Sequence, residues 1–589
     1  MFSPVLILDD AAEDDLRIFV APRAIIQAVR PDEVNACLQA IEAARAAGNF
    51  VAGYMSYELG YALEPRLRPL LPEGRTVPLL WFGVFGPPEE LKGEAATAVL
   101  KARQTGRAYA GLLQPEWDET AYSARFDRVK ALIAAGDIYQ ANLTFRGRFP
   151  FFGDALALYA QLRAASSCRY GAYVDDGCRQ ILSLSPELFF DLAPDGAVTA
   201  RPMKGTAARA VEAQADFLAR EALQNSSKDQ AENLMIVDLL RNDLGRVAEL
   251  GSVSVPNLFT VETYPTLHQM VSTVTAKLKP GVGAGGLVKA LFPCGSITGA
   301  PKIRAMEVLR ELEESPRGIY CGAIGMFAPD GSARFNVAIR TLTITGNEGE
   351  LGIGGGLVQD SEMQQEYAEA LLKARYFTAT RRPLELIETL RWSVDEGFVR
   401  LELHLARMAR SAKAIGLSFD EVRAREVLDE AVYALALPSQ ERCTHRLRLT
   451  LDEAGEIACT TGRLGPAKER WSCTISSLRL TSTDALARHK TNWREVYEGE
   501  YARHCPPQDE VLFLNERGKV VEGSRTNIFV ERDGALLTPP LSAGCLPGVL
   551  REALIAEGRC REASLSPEDL TRGFFLGNSL RGLIPAVCD

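Results

Sequence analysis

The chain has 589 residues, 47% hydrophobic and 24% charged, a globular composition that excludes a disordered linker or a fibre. Lys plus Arg number 66 and Asp plus Glu 76, and the net charge of −10 argues against non-specific nucleic-acid binding. At roughly 100–200 residues per domain, the length predicts three or four compact units.

The N-terminus, MFSPVLILDDAAEDD, has no basic region, and Asp9 and Asp10 cut its apolar run short, so no signal peptide is expected. No run approaches 18 apolar residues, so no membrane span is expected. Twelve cysteines are scattered without a CxxC pair, the pattern of reduced thiols in a cytoplasmic protein. Five histidines form no metal-binding array, which leaves oxygen ligands for any metal. Short strand-like runs (180–192, 320–328, 333–344) alternate with helical stretches. The glycines of PGVGAGGL (280–287) fit GxGxxG but follow no clear strand and read as a flexible loop. GSITGAPK (295–302) lacks the GK[ST] ending of a nucleotide loop, though a glycine-rich backbone can approach an anion. The helical segment 366–380 ends at Arg381-Arg382-Pro383, a stop signal, and a new strand pattern begins at LELIETLRW. A junction therefore falls near 378–384. The second part alternates too, with strands at 446–451, 510–515 and 526–531. Both parts read as mixed α/β, of the α+β kind.

Two acid pairs stand out. In KDQAENLMIVDLLRNDLG, Asp229 and Glu232 share a helix face; in QQEYAEALLKAR, Glu366, Glu369 and Lys373 do the same. Two such helices could hold one magnesium ion, or present two solvated faces. Gly354 to Gly356 precede the second pair and let backbone N–H groups reach an anion. Arg340 follows an apolar strand, at a place suited to a fork on a carboxylate. Lys204, in RPMKGT, reads as a surface cation or, if desolvated, as a nucleophile.

With these residues in place, the chain from about 118 to 378 resembles the chorismate-utilising enzymes. The matching segments are GDIYQANLTFR, SLSPELFF, RPMKGT, AENLMIVDLLRNDLGRV, LFPCGSITGAPKIRAMEVLRELE, GIYCGAIG, FNVAIRTL and GIGGGLVQDSEMQQEYAEALLKA. A lysine in the PxKGT motif is similar to the aminodeoxychorismate synthase type, where anthranilate synthases carry alanine. The resemblance implies that Lys204 attacks C2 of chorismate and that Glu187 acts as general acid for the departing hydroxyl. It implies His268 as an active-site histidine, Glu232 and Glu369 as direct magnesium ligands, and Asp229 and Glu366 as ligands through water. Thr298, Tyr320, Arg340, Gly354, Gly355 and Lys373 would form the substrate pocket. Residues 1–117 resemble the amino-terminal segment of the synthase component, and 118–380 its chorismate-binding catalytic domain. In relatives the amino-terminal region can hold a tryptophan-like ligand. No GxCxGxQ nucleophile is present, so ammonia would come from a separate glutamine amidotransferase subunit or from solution.

In the second part, Lys490, Glu522 and Arg407 together suit a pyridoxal phosphate site, supplying a Schiff-base lysine, an acid for the pyridinium nitrogen and an arginine for the phosphate. The motifs ETLRW, LHLARM, HKTNWREVY, VVEGSRTNIFV, LPGVLRE and GNSLRGLIPA resemble the fold-type IV pyridoxal enzymes over 384–589. The resemblance adds backbone groups at Val549 and Leu550, with Asn578, for the phosphate, and Thr389 for proton handling. It also implies a homodimer through this domain. Lyase and transaminase share the early chemistry, and spacing does not separate them; the neighbouring half does, because a lyase would consume its product. The expectation is a cytoplasmic enzyme of two consecutive steps, amination of chorismate and then loss of pyruvate to give 4-aminobenzoate. The rivals are anthranilate or salicylate formation in the first half and a branched-chain or D-amino-acid aminotransferase in the second.

Overall fold

The computed structural model describes residues 4–166, 168–264, 267–435, 443–466, 468–571 and 573–588. They form two compact units, fewer than the length suggests. The first takes Met1–Arg103, Leu113–Phe149 and Tyr159–Thr380; the second takes Arg381–Asp589 together with Gln104–Leu112 and Pro150–Leu158. The first unit is large because its sheets share cores that no single segment could close. The amino-terminal strand Val5–Asp10, for example, pairs antiparallel with Tyr170–Asp175.

Two large sheets organise the first unit. Alternation along their strands decides which layer each side chain joins. On Phe50–Met55, Ala52 and Tyr54 face a core shared with Leu6, Phe19, Ala172, Val174 and Ile181 of the other sheet. Val51 and Met55 face the opposite way, into a core with Leu38 and Ile41 of Val34–Ala46, Ile236 and Leu240 of Ser227–Gly245, and Leu287 and Leu291 of Ala284–Leu291. The order is thus sheet, sheet, helices.

That layering corrects the reading of PGVGAGGL. Gly281 turns at φ +83°, but Gly283 is the N-cap of Ala284–Leu291 and Gly285 N donates to Glu42 Oε1 at 3.1 Å. A glutamate carboxylate fills the place at the helix N-terminus that an anionic ligand would take.

The second unit holds a four-stranded sheet, Gly397–Phe398, Leu386–Ser393, His445–Leu451 and Ile457–Arg463 in that order. The amphipathic helices Leu401–Ile415 and Glu421–Tyr433 pack Leu405, Met408, Ala412, Ala424 and Leu428 into one core with its Leu386, Leu390, Leu447 and Leu449. An eight-stranded mixed sheet follows. In it Glu510–Asn515 pairs antiparallel with Val520–Gly523 across the NERGK turn, the hairpin that the turn residues predict. All twelve cysteines are free thiols. Among the described residues, no helix is long and apolar enough to cross a membrane.

Two candidate active sites

The first site gathers where local irregularities re-aim individual side chains. Lys204 lies on the strand Met203–Ala208, whose register with Leu267–Lys277 breaks between Met203 and Thr206. Gly205 takes φ +80° there, which a residue with a Cβ resists. The bulge turns Lys204 out of the ladder, and burial of its amine pulls the pKa below the ordinary lysine value. Glu187 sits where the chain passes from Gln180–Ser185 in one sheet to Leu188–Leu192 in the other. Val337 N donates to its carbonyl at 3.0 Å and its own N–H donates to Ser185 Oγ at 3.2 Å. Its carboxyl is 3% exposed, and Oε1 lacks a hydrogen-bond partner among the described residues. Burial pushes its pKa up to about 7 against the opposing pull of Ser296 and the Lys204 ammonium.

The acid pairs converge on the same amines. Glu232 on Ser227–Gly245 faces Lys204 and Lys228, and burial raises its pKa. Glu369 on Met363–Leu372 is pushed up by burial but held below its ordinary value by Lys373, whose Nζ lies 2.9 Å from Oε1. Glu366 is buried and acts electrostatically on Glu232, and Asp229 lies against Gly205. The triple glycine passes beneath. Lys373 Nζ donates to Gly354 O at 2.9 Å, and a methyl added at Gly356 would stand 3.1 Å from Lys204 Nζ. One at Gly355 would meet Lys373 and Glu366. Tyr320 packs over Gly352, and Arg340, at φ +50°, has no carboxylate partner among the described residues.

The oxygen-only donor set and its excess of negative charge fit a hard cation. As placed, the ammonium groups of Lys204 and Lys373 divide the carboxylates, and no three acids among the described residues close into a ligand cage.

Two sequence-predicted residues are engaged elsewhere. His268 is buried with Nε2 3.0 Å from Asp216 Oδ1 and Nδ1 3.0 Å from Thr263 Oγ1, so both ring nitrogens have partners, neither of them Lys204 or Glu187. Thr298 Oγ1 lies 3.1 Å from Gly295 O and 3.3 Å from Cys294 O, which commits its proton to the backbone. Sequence reasoning missed Gln140. It is fully buried beside Gly356, and its Oε1 has no partner among the described residues. Its signal was a buried amide in GDIYQANLT, invisible before the strand Gln140–Gly153 was placed.

The second site opens as a cavity of about 590 Å³ lined by Lys490, Thr389, Glu522, Arg407, Val549 and Asn578 among others. Ile387 N donates to Lys490 O at 2.8 Å, which seats the lysine loop on the strand Leu386–Ser393. Two residues along that strand, Thr389 Oγ1 accepts from Lys490 Nζ at 2.8 Å. Burial, together with Arg407, lowers the Lys490 amine to about 7. Glu522 accepts from Tyr497 Oη at 2.8 Å and Leu546 N at 2.9 Å, and burial raises its carboxyl to about 7. The helix Val549–Ala556 starts at the cavity, with Gly548 and Val549 on its wall. A helix start offers unpaired N–H groups to a phosphate. A buried lysine, a buried acid and this cradle fit pyridoxal phosphate.

Three of the cofactor-site residues also make contacts within the protein. Arg407 donates through Nε and Nη2 to the two oxygens of Glu388 at 2.8 and 2.6 Å, and through Nη1 to Pro547 O at 3.0 Å. Two of its five N–H groups remain for a phosphate. Leu550 buries its side chain in a core with Phe529, Leu554 and Cys560, and its backbone lies in the first turn of the helix Val549–Ala556. Asn578 spends its amide on the turn, accepting from Leu580 N and Arg581 N and donating to Arg525 O. Glu388 is the residue that spacing could not find. It is 1% exposed and also accepts from His404 Nδ1 at 2.6 Å, while His404 Nε2 meets Ser579 Oγ at 2.9 Å. Burial would raise the Glu388 carboxyl, but Arg407 and His404 bring it down to about 2.

Comparison with known proteins follows the same division. The sequence pattern of the chorismate binding enzyme family matches residues 3–379, and that of the amino-transferase class IV family matches residues 385–587. Aminodeoxychorismate synthase component 1 of Klebsiella aerogenes is 43% identical over 286 residues, covering 48% of this chain and 63% of that protein. The protein of the same name from Escherichia coli (strain K12) is 42% identical over 283 residues, covering 47% and 62%. The chain thus spans less than two thirds of the length of these relatives. The structure of the menaquinone-specific isochorismate synthase from Escherichia coli shares the fold, with a TM-score of 0.50 and 19% identity over 64% of this chain and 89% of that one.

Proposed function

Because the chain belongs to the chorismate binding enzyme family and continues into an amino-transferase class IV domain, we propose that it performs two consecutive steps of 4-aminobenzoate formation. The observation that carries the first step is Lys204, with its lowered pKa, beside the raised-pKa acid Glu187. An amine poised to lose its proton and a carboxyl poised to keep one are the two partners a covalent displacement needs. The Lys204 amine bonds to C2 of chorismate and both ring double bonds shift. The C4–O bond breaks, and Glu187 supplies the proton that lets the hydroxyl leave as water. Ammonia then bonds to C4, both double bonds return, the C2–N bond to Lys204 breaks, and the proton ammonia sheds restores the Glu187 carboxyl, giving 4-amino-4-deoxychorismate. Magnesium, held by Glu232 and Glu369 with Asp229 and Glu366 through water, would neutralise a substrate carboxylate. Arg340, Tyr320, Lys373 and Gly354 to Gly355 would orient that carboxylate. Ammonia would come from a separate glutamine amidotransferase, as the component 1 names of the relatives suggest.

The class IV family implies pyridoxal phosphate, which when bound supplies an electron sink for bond breaking at the amine-bearing carbon. Lys490 would contribute the amine that holds the cofactor aldehyde. Glu522 would face the ring nitrogen, and Arg407 with the start of Val549–Ala556 would hold the phosphate. The neighbouring half favours a lyase, which would consume the first step's product, and the Lys490–Thr389 hydrogen bond gives the lysine a relay for moving a proton within the site. The substrate would lose pyruvate and leave 4-aminobenzoate.

Incubation of the chain with chorismate, ammonia, magnesium and pyridoxal phosphate tests both halves, with products identified by mass. The expected products are 4-aminobenzoate and pyruvate. Anthranilate or salicylate as the main product would overturn the first assignment. Steady transamination of a branched-chain or D-amino acid with 2-oxoglutarate would overturn the second.

A further inference from the structure

The second unit includes two stretches of chain, Gln104–Leu112 and Pro150–Leu158, that precede the junction by more than 200 residues. Both press on the loop 484–493, which carries Lys490. Arg107 holds that loop at its two ends. Its Nε donates to Asp484 Oδ2 at 2.7 Å, its backbone N–H to Asp484 Oδ1 at 3.3 Å, and its Nη1 to Trp493 O at 3.0 Å. Asp484 in turn caps the turn Ala485–Arg488, accepting from Leu486 N at 3.1 Å. Thr483 Oγ1 donates to Thr105 O at 2.6 Å. Tyr109, fully buried, meets the Trp493 ring edge-on at 6.3 Å, and Phe152 meets His489 edge-on at 5.1 Å. Gly106 packs so close to Asp484 that an added methyl would stand 2.7 Å from its Cα.

We propose that Arg107 is a positioning residue for Lys490, and that the strap 104–112 makes the second unit depend on chain that precedes the junction. One guanidinium bonded to both ends of a ten-residue loop restricts the loop more than two separate contacts would, because closing it removes the freedom of everything between. The charge-assisted bond to Asp484 and the bond to the Trp493 carbonyl fix where the loop begins and ends. The hydrogen bond from Ile387 N to Lys490 O then sets the depth at which Nζ meets Thr389. The inference rests on reading Lys490 as the cofactor lysine.

The test uses the full chain without cofactor. Amide hydrogen exchange read by mass over 485–493 is expected to speed up at least tenfold in Arg107→Ala, with exchange across Ser227–Gly245 unchanged. Asp484→Asn, which keeps the side-chain shape, is expected to give a smaller acceleration in the same peptide. The double variant should be no faster than Arg107→Ala alone. Wild-type exchange over 485–493 in Arg107→Ala would overturn the proposal. So would an acceleration spread evenly over the whole second unit in both variants, since that reports packing and not placement of the loop. Separately, pyridoxal phosphate with borohydride should tag Lys490 in the wild type and at least fivefold less in Arg107→Ala. No tag in the wild type would reject the cofactor reading, while the exchange data would still judge the strap.

Discussion

Glu187 and Lys204 carry opposite pKa shifts with one cause. Burial disfavours charge, so the acid holds its proton more tightly and the amine holds its proton less tightly. If Glu187 must be protonated to act, the amination rate should fall as pH rises through about 7. Glu187→Gln should remove that dependence along with most of the rate, which a pH profile of chorismate consumption reads. The same shift has a stability sign. The folded-state pKa lies above the ordinary carboxylate value, so the native state binds more protons than the unfolded chain. That contribution, of order 3 kcal/mol, is fully present below about pH 4.5 and lost as pH rises through about 7. Denaturant midpoints of Glu187→Gln against the parent should therefore converge at low pH and separate above neutrality, with the variant the more stable there.

Among the elements, the glycine strand Glu348–Leu357 and the helix Leu401–Ile415 make contrasting demands. Gly356 has no Cβ because Gln140 and Lys204 Nζ occupy the space a methyl would take. Gly356→Ala should cut chorismate amination at least tenfold while pyruvate release from supplied aminodeoxychorismate stays unchanged, as product assays on each half would read. The helix depends on a buried ion pair. Glu388 is the only anion that the Arg407 guanidinium is bonded to among the described residues, and removing it would strand a charge. Glu388→Ala should destabilise the second unit by about 3–5 kcal/mol, seen as a lower melting transition. Glu388→Gln should recover part of the loss, since it keeps two hydrogen-bonding atoms in place.

For the whole molecule, the proposed nucleophile Lys204 and the proposed cofactor lysine Lys490 lie in separate units, which predicts separable defects. Lys204→Ala should abolish aminodeoxychorismate formation yet still release pyruvate from supplied intermediate. Lys490→Ala should let aminodeoxychorismate accumulate from chorismate and ammonia. Loss of both activities in either variant would contradict this division.

Much of this was legible before any coordinates. Alternation in runs such as RLRLTL marks strands, and the i, i+3 acids mark helix faces, because those periods belong to the backbone itself. The motifs around Lys204 and Lys490 name two chemistries, because the reacting side chains sit in short, local patterns. What spacing could not show is what a side chain spends its bonds on. Arg407 reads in LHLARM as an arginine for the phosphate, and only the packing of strand Leu386–Ser393 against its helix reveals that Glu388 also binds it. Gln140 beside Lys204, the partners of His268 and the strap at Arg107 are likewise contacts between residues far apart in the chain. Sequence alone determined most of the elements and the chemistry they can support, since local periodicity and residue type carry both, although the glycine run before Ala284–Leu291 hid the start of a helix. Tertiary structure alone decided which charges are paired, which protons are shifted and which distant segments hold the reactive lysines, since burial and electrostatics act through space and not along the chain.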